Sequence, residues 1–517
     1  MQTEIMLEEQ AKIDEEIRTL RDRIHHLLHS RNVLAHINQL PPEILVKVFG
    51  YYQKALVDRI GSPEEVVQWI RITHICQKWR FIAFDSKALW TIIPTPRSAY
   101  AKFASQLSHP LPISIMGTDW GKRNRLTEER RSLFLSLLPR IEKMEVGGFP
   151  QLFFVERLTQ APSELPLIEE INFRYLDRSL DKSPFPKSLK RLTLSFSRFE
   201  WDWLKLDHLT ELHLVSNTFS ITVASFVNHM LQIPTLSSLE IRYLFRVAED
   251  VEDAATESSN RLESQSTQLP SLKELIIEDS PSHITEFMSC IRLDRHFTLQ
   301  VELAFETPDQ GVNLFSRLHH HLQASQHTIQ NMVLHREGDL WTNTSTTTLS
   351  CTCFDRTSTT SPFLRIQAFI TYEIREHWLD WIQTLPLQNL HQLSTNVHTY
   401  VPDWQGSRFR NLDNLHELFL LDRVSSYAFL KYLAEDADLA KQSDDWHSVS
   451  FPLLKEITLV GCEEVKEGEV AALAGRAEHG HKLEALVFKD SNVEGDAIAQ
   501  LTMVVEKVTV VKPNQYL

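Results

Sequence analysis

A short apolar pattern recurs along most of the chain and restricts the folds that are open to it. It reads Leu-x-x-Leu-x-Leu, with other aliphatic or aromatic residues allowed at the apolar slots. Its eleven copies begin at Ile141, Ile168, Leu189, Leu209, Leu236, Leu272, Ile329, Leu415, Leu454, Leu483 and Val505. The last two slots lie two residues apart, which predicts a short strand with one buried face. Such a strand cannot bury its apolar side alone, so the repeat predicts strands stacked in parallel around a continuous core.

These copies resemble leucine-rich repeats. In the copy that begins at Leu209, Asn217 and Phe219 follow at the spacing of that family, and the copy that begins at Leu454 has Cys462 at the Asn slot. The resemblance implies an α/β solenoid, with 96–517 as its domain. Most copies lack the Asn or Cys, and the steps between copies are uneven within 281–410, so we expect an irregular solenoid.

Two segments interrupt the repeat and are predicted to be loop insertions. Residues 249–268 are acidic and rich in serine, and residues 342–361 are rich in serine and threonine with little to bury. Cys351 and Cys353 lie in the second segment. No second pair of ligands follows at the spacing of a zinc site, so we expect two thiols in a loop.

The stretch from residue 40 to residue 90 carries a second, more specific pattern. It opens Leu-Pro-Pro-Glu-Ile-Leu at 40–45, and it closes with Ile-Cys-Gln-Lys-Trp-Arg at 75–80 and Leu-Trp at 89–90. The double proline suits the first turn of a helix, where a missing N–H costs nothing, and Glu43 meets the positive end of the helix dipole there. The stretch therefore predicts a helical domain over 36–95.

This stretch resembles the F-box, although the segment between Phe49 and Ile75 is longer than is usual in that family. An F-box followed by repeats resembles the fungal type of F-box protein. The resemblance implies binding to the adaptor Skp1 and, through it, to a cullin ubiquitin ligase. It assigns the following residues to Skp1 binding: Leu40, Pro41, Pro42, Ile44, Leu45, Val48, Phe49, Ile75, Cys76 and Trp79.

Residues 1–35 are predicted to form a coiled-coil-like helix. Apolar residues recur there at steps of three and four, as in a heptad seam, at Met6, Ile13, Ile17, Leu20, Ile24, Leu27 and Leu34. Gln10 and Arg31 are polar positions in the seam. Two alternatives follow: a weak homodimer through this helix, or a single helix that lies on a neighbouring domain.

Charge and composition restrict the partners and the compartment. The formal net charge of -15 argues against nucleic acid as the main partner, because such proteins carry clustered lysine and arginine. Five cysteines are a sparse, odd set that indicates a reducing compartment. The first ten residues do not resemble a signal peptide, and no apolar run is long enough to span a bilayer. We therefore expect a cytoplasmic or nuclear protein without a membrane partner.

The sequence contains no phosphate-binding loop, no nucleophile elbow and no metalloprotease motif. We therefore expect a protein that is not an enzyme and has no catalytic residue, metal or cofactor. The predicted fold is α/β: an N-terminal helix, an F-box helical module and the irregular solenoid. The predicted function is substrate recognition in a Skp1–cullin–F-box ubiquitin ligase, with an unidentified protein target on the repeats. The alternatives are a repeat scaffold without a ligase role and an enzyme with an unfamiliar site.

Overall fold

A computed structural model of the chain describes most of its residues, with gaps. The described ranges are 2–60, 67–94, 98–117, 128–147, 154, 157–158, 161–174, 185–196, 206–216, 221–245, 267–269, 271–292, 297–305, 307–337, 346–355, 362–371, 377–395, 412–443, 449–462 and 464–511.

The chain divides into two compact units, residues 1–209 and residues 210–517. A helical N-terminal region precedes a part that is rich in strands, so the predicted α/β fold class is confirmed. The predicted domain boundaries at 35/36 and 95/96 both lie inside the first unit, and they stay predictions.

The first unit begins with helices. Its described α-helices are α1 Gln2–Leu34, α2 Pro42–Ile60, α3 Gln77–Asp85, α4 Ser98–Leu107 and α5 Glu128–Leu137. Short 3-10 turns occur at His36–Gln39, Val67–His74, Lys87–Trp90, Leu138–Arg140 and Pro162–Glu164. Helix α2 begins at the second proline of the motif, where the absent N–H would have no intrahelical partner in any residue.

The strands of the first unit follow one another in parallel. They are β1 Ile92–Pro94, β2 Ile113–Gly117, β3 Ile141–Gly147, β4 Glu170–Arg174 and β5 Arg191–Ser195. Each strand pairs with the next in chain order. Met144, Ile171 and Leu192, which fill the same slot in three successive copies, are neighbours in register and are buried. The copies therefore share one apolar layer.

The second unit alternates strands with helices. Its described α-helices are α6 Val223–Met230, α7 Pro281–Cys290, α8 Pro308–Ala324, α9 His377–Ile382, α10 Arg423–Ser443, α11 Glu467–Glu478 and α12 Gly495–Val504. Its strands are β6 Glu211–Val215, β7 Ser238–Arg242, β8 Thr267–Gln268, β9 Glu274–Glu278, β10 Ile291–Arg292, β11 Thr298–Ala304, β12 Asn331–Glu337, β13 Thr346–Phe354, β14 Leu364–Thr371, β15 Gln392–Thr395, β16 Glu417–Leu420, β17 Glu456–Val460, β18 Ala485–Lys489 and β19 Lys507–Val511.

Twelve of these strands form one ladder in the order β6-β7-β9-β11-β14-β13-β12-β15-β16-β17-β18-β19. All neighbours are parallel except β13, which runs antiparallel to β12 and β14. Strands β8 and β10 pair separately. The last two slots of all eleven sequence copies lie on strands, so the predicted strand positions are confirmed. Membership of the leucine-rich-repeat family stays a prediction.

One predicted loop is wrong in its central part. Residues 346–354, within the predicted insertion 342–361, form the nine-residue strand β13. The run of threonines is β-branched and favours a strand, and Cys351 and Cys353 supply a buried face at a period of two. Their Sγ atoms lie 3.7 Å apart, and the hydrogen bond with Cys351 together with burial raises the pKa of the Cys353 thiol. The expectation of two loop thiols is therefore wrong.

Other predicted features lie outside the described residues. They are the greater part of the 249–268 insertion and the Asn217 and Phe219 positions of the repeat. Cys462, the other residue at the Asn slot, is buried two residues after the end of β17. Its N–H donates to the Ser491 hydroxyl at 2.9 Å, and its thiol donates to the Glu464 carbonyl at 3.4 Å.

A residue with positive φ directly follows five of the strands. These residues are Phe196, Ser216, Tyr243, Gly461 and Asp490. The N–H of Ser216 donates to the Arg242 carbonyl at the end of the next strand at 2.7 Å, and the N–H of Gly461 donates to the Lys489 carbonyl at 2.9 Å. The same turn therefore closes several repeats. Glycine adopts this conformation at no steric cost, whereas other residues are strained.

We expect Gly461→Ala to lower the free energy of unfolding by about 1 kcal/mol, because a Cβ disfavours its φ of +69°. Gly468→Ala in the first turn of α11 is the matched control: its Cβ meets nothing within 4 Å, and alanine is the better helix former. Urea denaturation should therefore show opposite shifts of the two midpoints. Equal shifts would contradict a specific backbone requirement at Gly461.

Candidate functional site

Helix α2 turns one apolar face inward. Leu45 and Phe49, four residues apart, are 0% and 1% exposed. The Phe49 ring packs against the Trp79 ring of α3, with the ring centroids 5.0 Å apart. One turn further on, Gln53 is buried, and its Nε2 donates to the Leu89 carbonyl at 3.1 Å. This face is sealed within the domain.

A second apolar face of α2 lies about 100° further round the helix and is open to solvent. Pro41, Ile44, Val48 and Tyr51 are spaced by three, four and three residues, so they share one stripe. Ile44 and Val48 are each 41% exposed and Tyr51 is 74% exposed. A continuous apolar stripe beside a sealed core is typical of a surface that binds another protein.

The two halves of the motif meet at the beginning of α2. The indole Nε1 of Trp79 donates to Asn38 Oδ1 at 2.5 Å, and Lys78 Nζ donates to the carbonyl oxygens of Asn38 and Leu40. These bonds hold the first turn of α3 against the residues that enter α2. Leu40 and Trp79, which are 39 positions apart in the chain, are both half-buried there.

An aromatic cluster supports this arrangement from inside. The rings of Trp69 and Trp90, both fully buried, have centroids 4.9 Å apart. Trp90 Nε1 donates to the Ala83 carbonyl at 2.8 Å, and Trp69 Nε1 donates to the Tyr100 hydroxyl at 3.3 Å. Burial raises the pKa of Tyr100 to about 12, so this hydroxyl stays protonated at neutral pH. The Leu-Trp at the end of the motif is therefore core.

The ten predicted Skp1-binding residues fall into three groups. Two are buried: Leu45 and Phe49. Three are half-buried: Leu40, Cys76 and Trp79. Five are exposed: Pro41, Pro42, Ile44, Val48 and Ile75. Only the last two groups offer surface to a partner, and the buried pair holds that surface in place from beneath.

Four exposed aromatic residues of this domain were not in the predicted set: Tyr51, Tyr52, Phe81 and Phe84. Tyr51, three residues after Val48, extends the same stripe, so helical spacing could have identified it. Phe81 is 72% exposed on α3, and Ile75, two residues before α3 begins, is 58% exposed. No periodic pattern in the short helix α3 distinguishes Phe81 from the core residues that follow it.

A comparison with protein families tests the resemblance directly. Residues 37–93 match the family model described as F-box-like. This chain contains an F-box-like domain. The match includes all ten predicted residues and both halves of the motif. No curated protein matches the chain. The assignment of the repeats rests on the pattern of apolar slots.

A second candidate surface lies on the outward face of the sheet in residues 210–517. His213 Nδ1 lies 2.9 Å from Glu240, and Arg242 lies 2.5 Å from Glu240, 3.0 Å from Glu278 and 3.8 Å from a Glu302 oxygen. The hydrogen bond with His213, assisted by Arg242, lowers the pKa of Glu240 to about 2. Three carboxylates and one guanidinium on adjacent strands make this face acidic.

Helices α7 and α8 enclose a groove of about 550 Å³. Its described lining includes Ser282, Thr285, Asn313, Arg317 and His320 but no carboxylate and no thiol. Within the described ranges, no three His, Cys, Asp or Glu side chains are grouped to hold a metal ion. None of the helices in those ranges combines the length and apolar composition that a membrane crossing requires. That the chain is not an enzyme stays an expectation.

We expect Leu45→Ala to lower the free energy of unfolding by about 2–5 kcal/mol, because it leaves a cavity in the sealed face of α2. Ile44→Ala, the neighbouring change on the open face, should alter the free energy of unfolding by no more than about 0.5 kcal/mol. Thermal denaturation of the two variants measures the difference. Similar losses in both variants would show that Ile44 is also a core residue.

We expect Glu240→Gln to lower stability at neutral pH, by about 1–2 kcal/mol after solvent screening. A depressed carboxyl pKa contributes stability that is present above the unfolded pKa of about 4.3. That contribution is lost as pH falls towards about 2, the folded value. Urea denaturation at pH 6 and at pH 3 should therefore show a smaller difference between the wild type and Glu240→Gln at the lower pH. A difference independent of pH would contradict this account of Glu240.

Proposed function

We propose that this protein is the substrate-recognition subunit of a Skp1–cullin–F-box ubiquitin ligase. Its F-box-like domain binds a Skp1-type adaptor, and the adaptor links it to a cullin. The strand-rich part binds a protein target. The observation that carries the proposal is the F-box-like match at 37–93 together with an open apolar stripe on α2.

The adaptor would bind the open stripe of α2 as one helix face laid into an apolar groove. Ile44 and Val48 lie at the centre of the stripe, with Pro41 before them and Tyr51 after them. Burial of exposed aliphatic and aromatic side chains is the main favourable term in such an interface. Leu45 and Phe49 hold α2 rigid, which lowers the entropy cost of binding.

The target would bind the outward faces of the strands. On β6, β7 and β9 these faces are mostly polar, because the apolar slots of those copies point to the core, and they differ from strand to strand. The acidic group around Glu240, Glu278 and Glu302 favours a target with basic residues. In this proposal the ligase holds its target close to a ubiquitin-charged enzyme, so the rate increases through effective concentration. No side chain of this chain need take part in chemistry.

The alternative is a protein-interaction scaffold that has no role in ubiquitin transfer. Residues 210–517 form a compact unit of their own, and such a unit can bind a partner whether or not an adaptor is present. A reconstituted reaction with the adaptor, cullin and ubiquitin-charging enzymes separates the two functions, because only the ligase adds ubiquitin to a bound partner. Both proposals include a location in the cytoplasm or the nucleus.

We expect Ile44→Asp with Val48→Asp to weaken adaptor binding at least about a hundredfold, because two carboxylates would be buried in an apolar interface. Neither residue is core, so the fold should be unchanged. The matched control is Val424→Asp with Leu439→Asp on α10, where the side chains are 46% and 49% exposed. Affinity for a purified Skp1-type adaptor is the measurement. Unchanged binding in the α2 variant would end the proposal.

A further inference from the structure

The apolar seam of α1 is open to solvent along its described length. Its exposed fractions range from 40% at Ile17 to 76% at Leu34. At the C-terminal end of α1, Asn38 Nδ2 donates to the Asn32 carbonyl at 2.6 Å and fixes the end of the helix to the 3-10 turn that follows. Within the first unit, therefore, the seam is uncovered. A helix of this kind requires a partner for its apolar face.

The charges of α1 are segregated along its length. Between positions 6 and 16 there are five acidic residues and one lysine: Glu8, Glu9, Lys12, Asp14, Glu15 and Glu16. Between positions 17 and 31 there are four arginines and one acidic residue: Arg18, Arg21, Asp22, Arg23 and Arg31. A parallel pair of such helices would place the two acidic halves side by side, although Glu16 would still meet Arg21 there. An antiparallel pair places the acidic half of one copy along the basic half of the other.

One antiparallel register pairs the apolar residues at the centre of the seam with one another. It places Ile17 opposite Leu20 of the second copy, with the two-fold axis between them. Ile24 then lies opposite Ile13 of the second copy. The two polar seam positions lie outside this centre, where Gln10 faces Leu27 and Arg31 faces Met6. In a coiled coil, polar seam residues near the ends cost less apolar burial than polar residues at the centre.

The flanking positions agree with the same register. Asp14 faces Arg21 of the second copy and Glu16 faces Arg23, and the two-fold axis repeats both pairs. None of these four side chains makes an ion pair within the part of the chain that the structure describes. In a parallel pair, by contrast, Asp14 would lie beside Glu9 of the second copy, since flanking residues five positions apart meet in that arrangement.

Two leucines outside the seam give an independent argument. Leu7 and Leu28 are 63% and 40% exposed. Each directly follows a seam residue, Met6 or Leu27, so both flank the seam on the same side of the helix. In the antiparallel register, Leu7 of one copy faces Leu28 of the other, so both are covered. In a parallel pair, Leu28 would face Arg23. Apolar burial and charge complementarity therefore favour the same orientation.

We propose that α1 mediates an antiparallel homodimer of this chain. The C-terminal ends of the two α1 helices then lie about 45 Å apart, from a rise of 1.5 Å per residue on either side of the axis. Since the F-box-like domain follows α1 directly, each end of the paired helices carries one such domain. The dimer would present two adaptor-binding surfaces that are well separated.

Sedimentation equilibrium of the full-length protein, without adaptor, tests the proposal. We expect a dimer at about 10 μM, and a monomer for Ile17→Asp with Ile24→Asp. Asp14→Arg should weaken the antiparallel dimer about tenfold, because two attractive pairs become repulsive, and added Arg21→Asp should restore it. Asp22→Arg makes the same charge change on the outer face and should leave association nearly unchanged.

A wild-type chain that stays monomeric at these concentrations would overturn the proposal. Tighter association of Asp14→Arg would overturn the antiparallel orientation, since this change removes a repulsion from Glu9 in a parallel pair. Both sedimentation measurements are made without the adaptor, so they are independent of whether the F-box-like domain binds Skp1.

Discussion

A strand of five residues with one apolar face is unstable alone, and such strands recur along this chain from residue 92 to residue 511. Each strand buries its alternate side chains only because the next copy lies beside it in the same register, as Leu418, Ile457 and Leu486 show. The interior is therefore built from repeated small contributions. The outward side chains take no part in the core, so they can differ from strand to strand to suit a partner.

The F-box-like domain must combine a rigid helix with an exposed apolar surface. Its helix α2 must be held firmly and must still leave an apolar stripe unburied, at some cost in solubility. Leu45 and Phe49 are buried and hold the helix in place, and the Phe49 ring packs against Trp79 of α3. Ile44 and Val48 form the stripe. Neighbouring positions on one helix thus separate stability from binding, and changes at one face need not alter the other.

Much of this architecture could be predicted from the sequence. The positions of eleven strands could be predicted from the eleven copies, because a period of two with a buried face is a local signal. The strand β13 was missed, since its threonines were interpreted by polarity, whereas burial of Cys351 and Cys353 depends on the strands at either side. The turns with positive φ at Ser216 and Tyr243 were also missed, because hydrogen bonds to the carbonyls of the next strand hold this conformation in residues that do not favour it.

For the candidate site, the motif identified the residues but not their exposure. Helical spacing places Ile44 and Leu45 on adjacent stripes, and only the packing of α3 decides which stripe is sealed. The central claim is that the open stripe of α2 receives an adaptor. Hydrogen–deuterium exchange of the full-length protein with and without a Skp1-type adaptor tests it most directly. The account predicts new protection within residues 41–52 and 75–84 and none in strands β6 to β11. Unchanged exchange in α2 and α3, with protection confined to the strands, would contradict it.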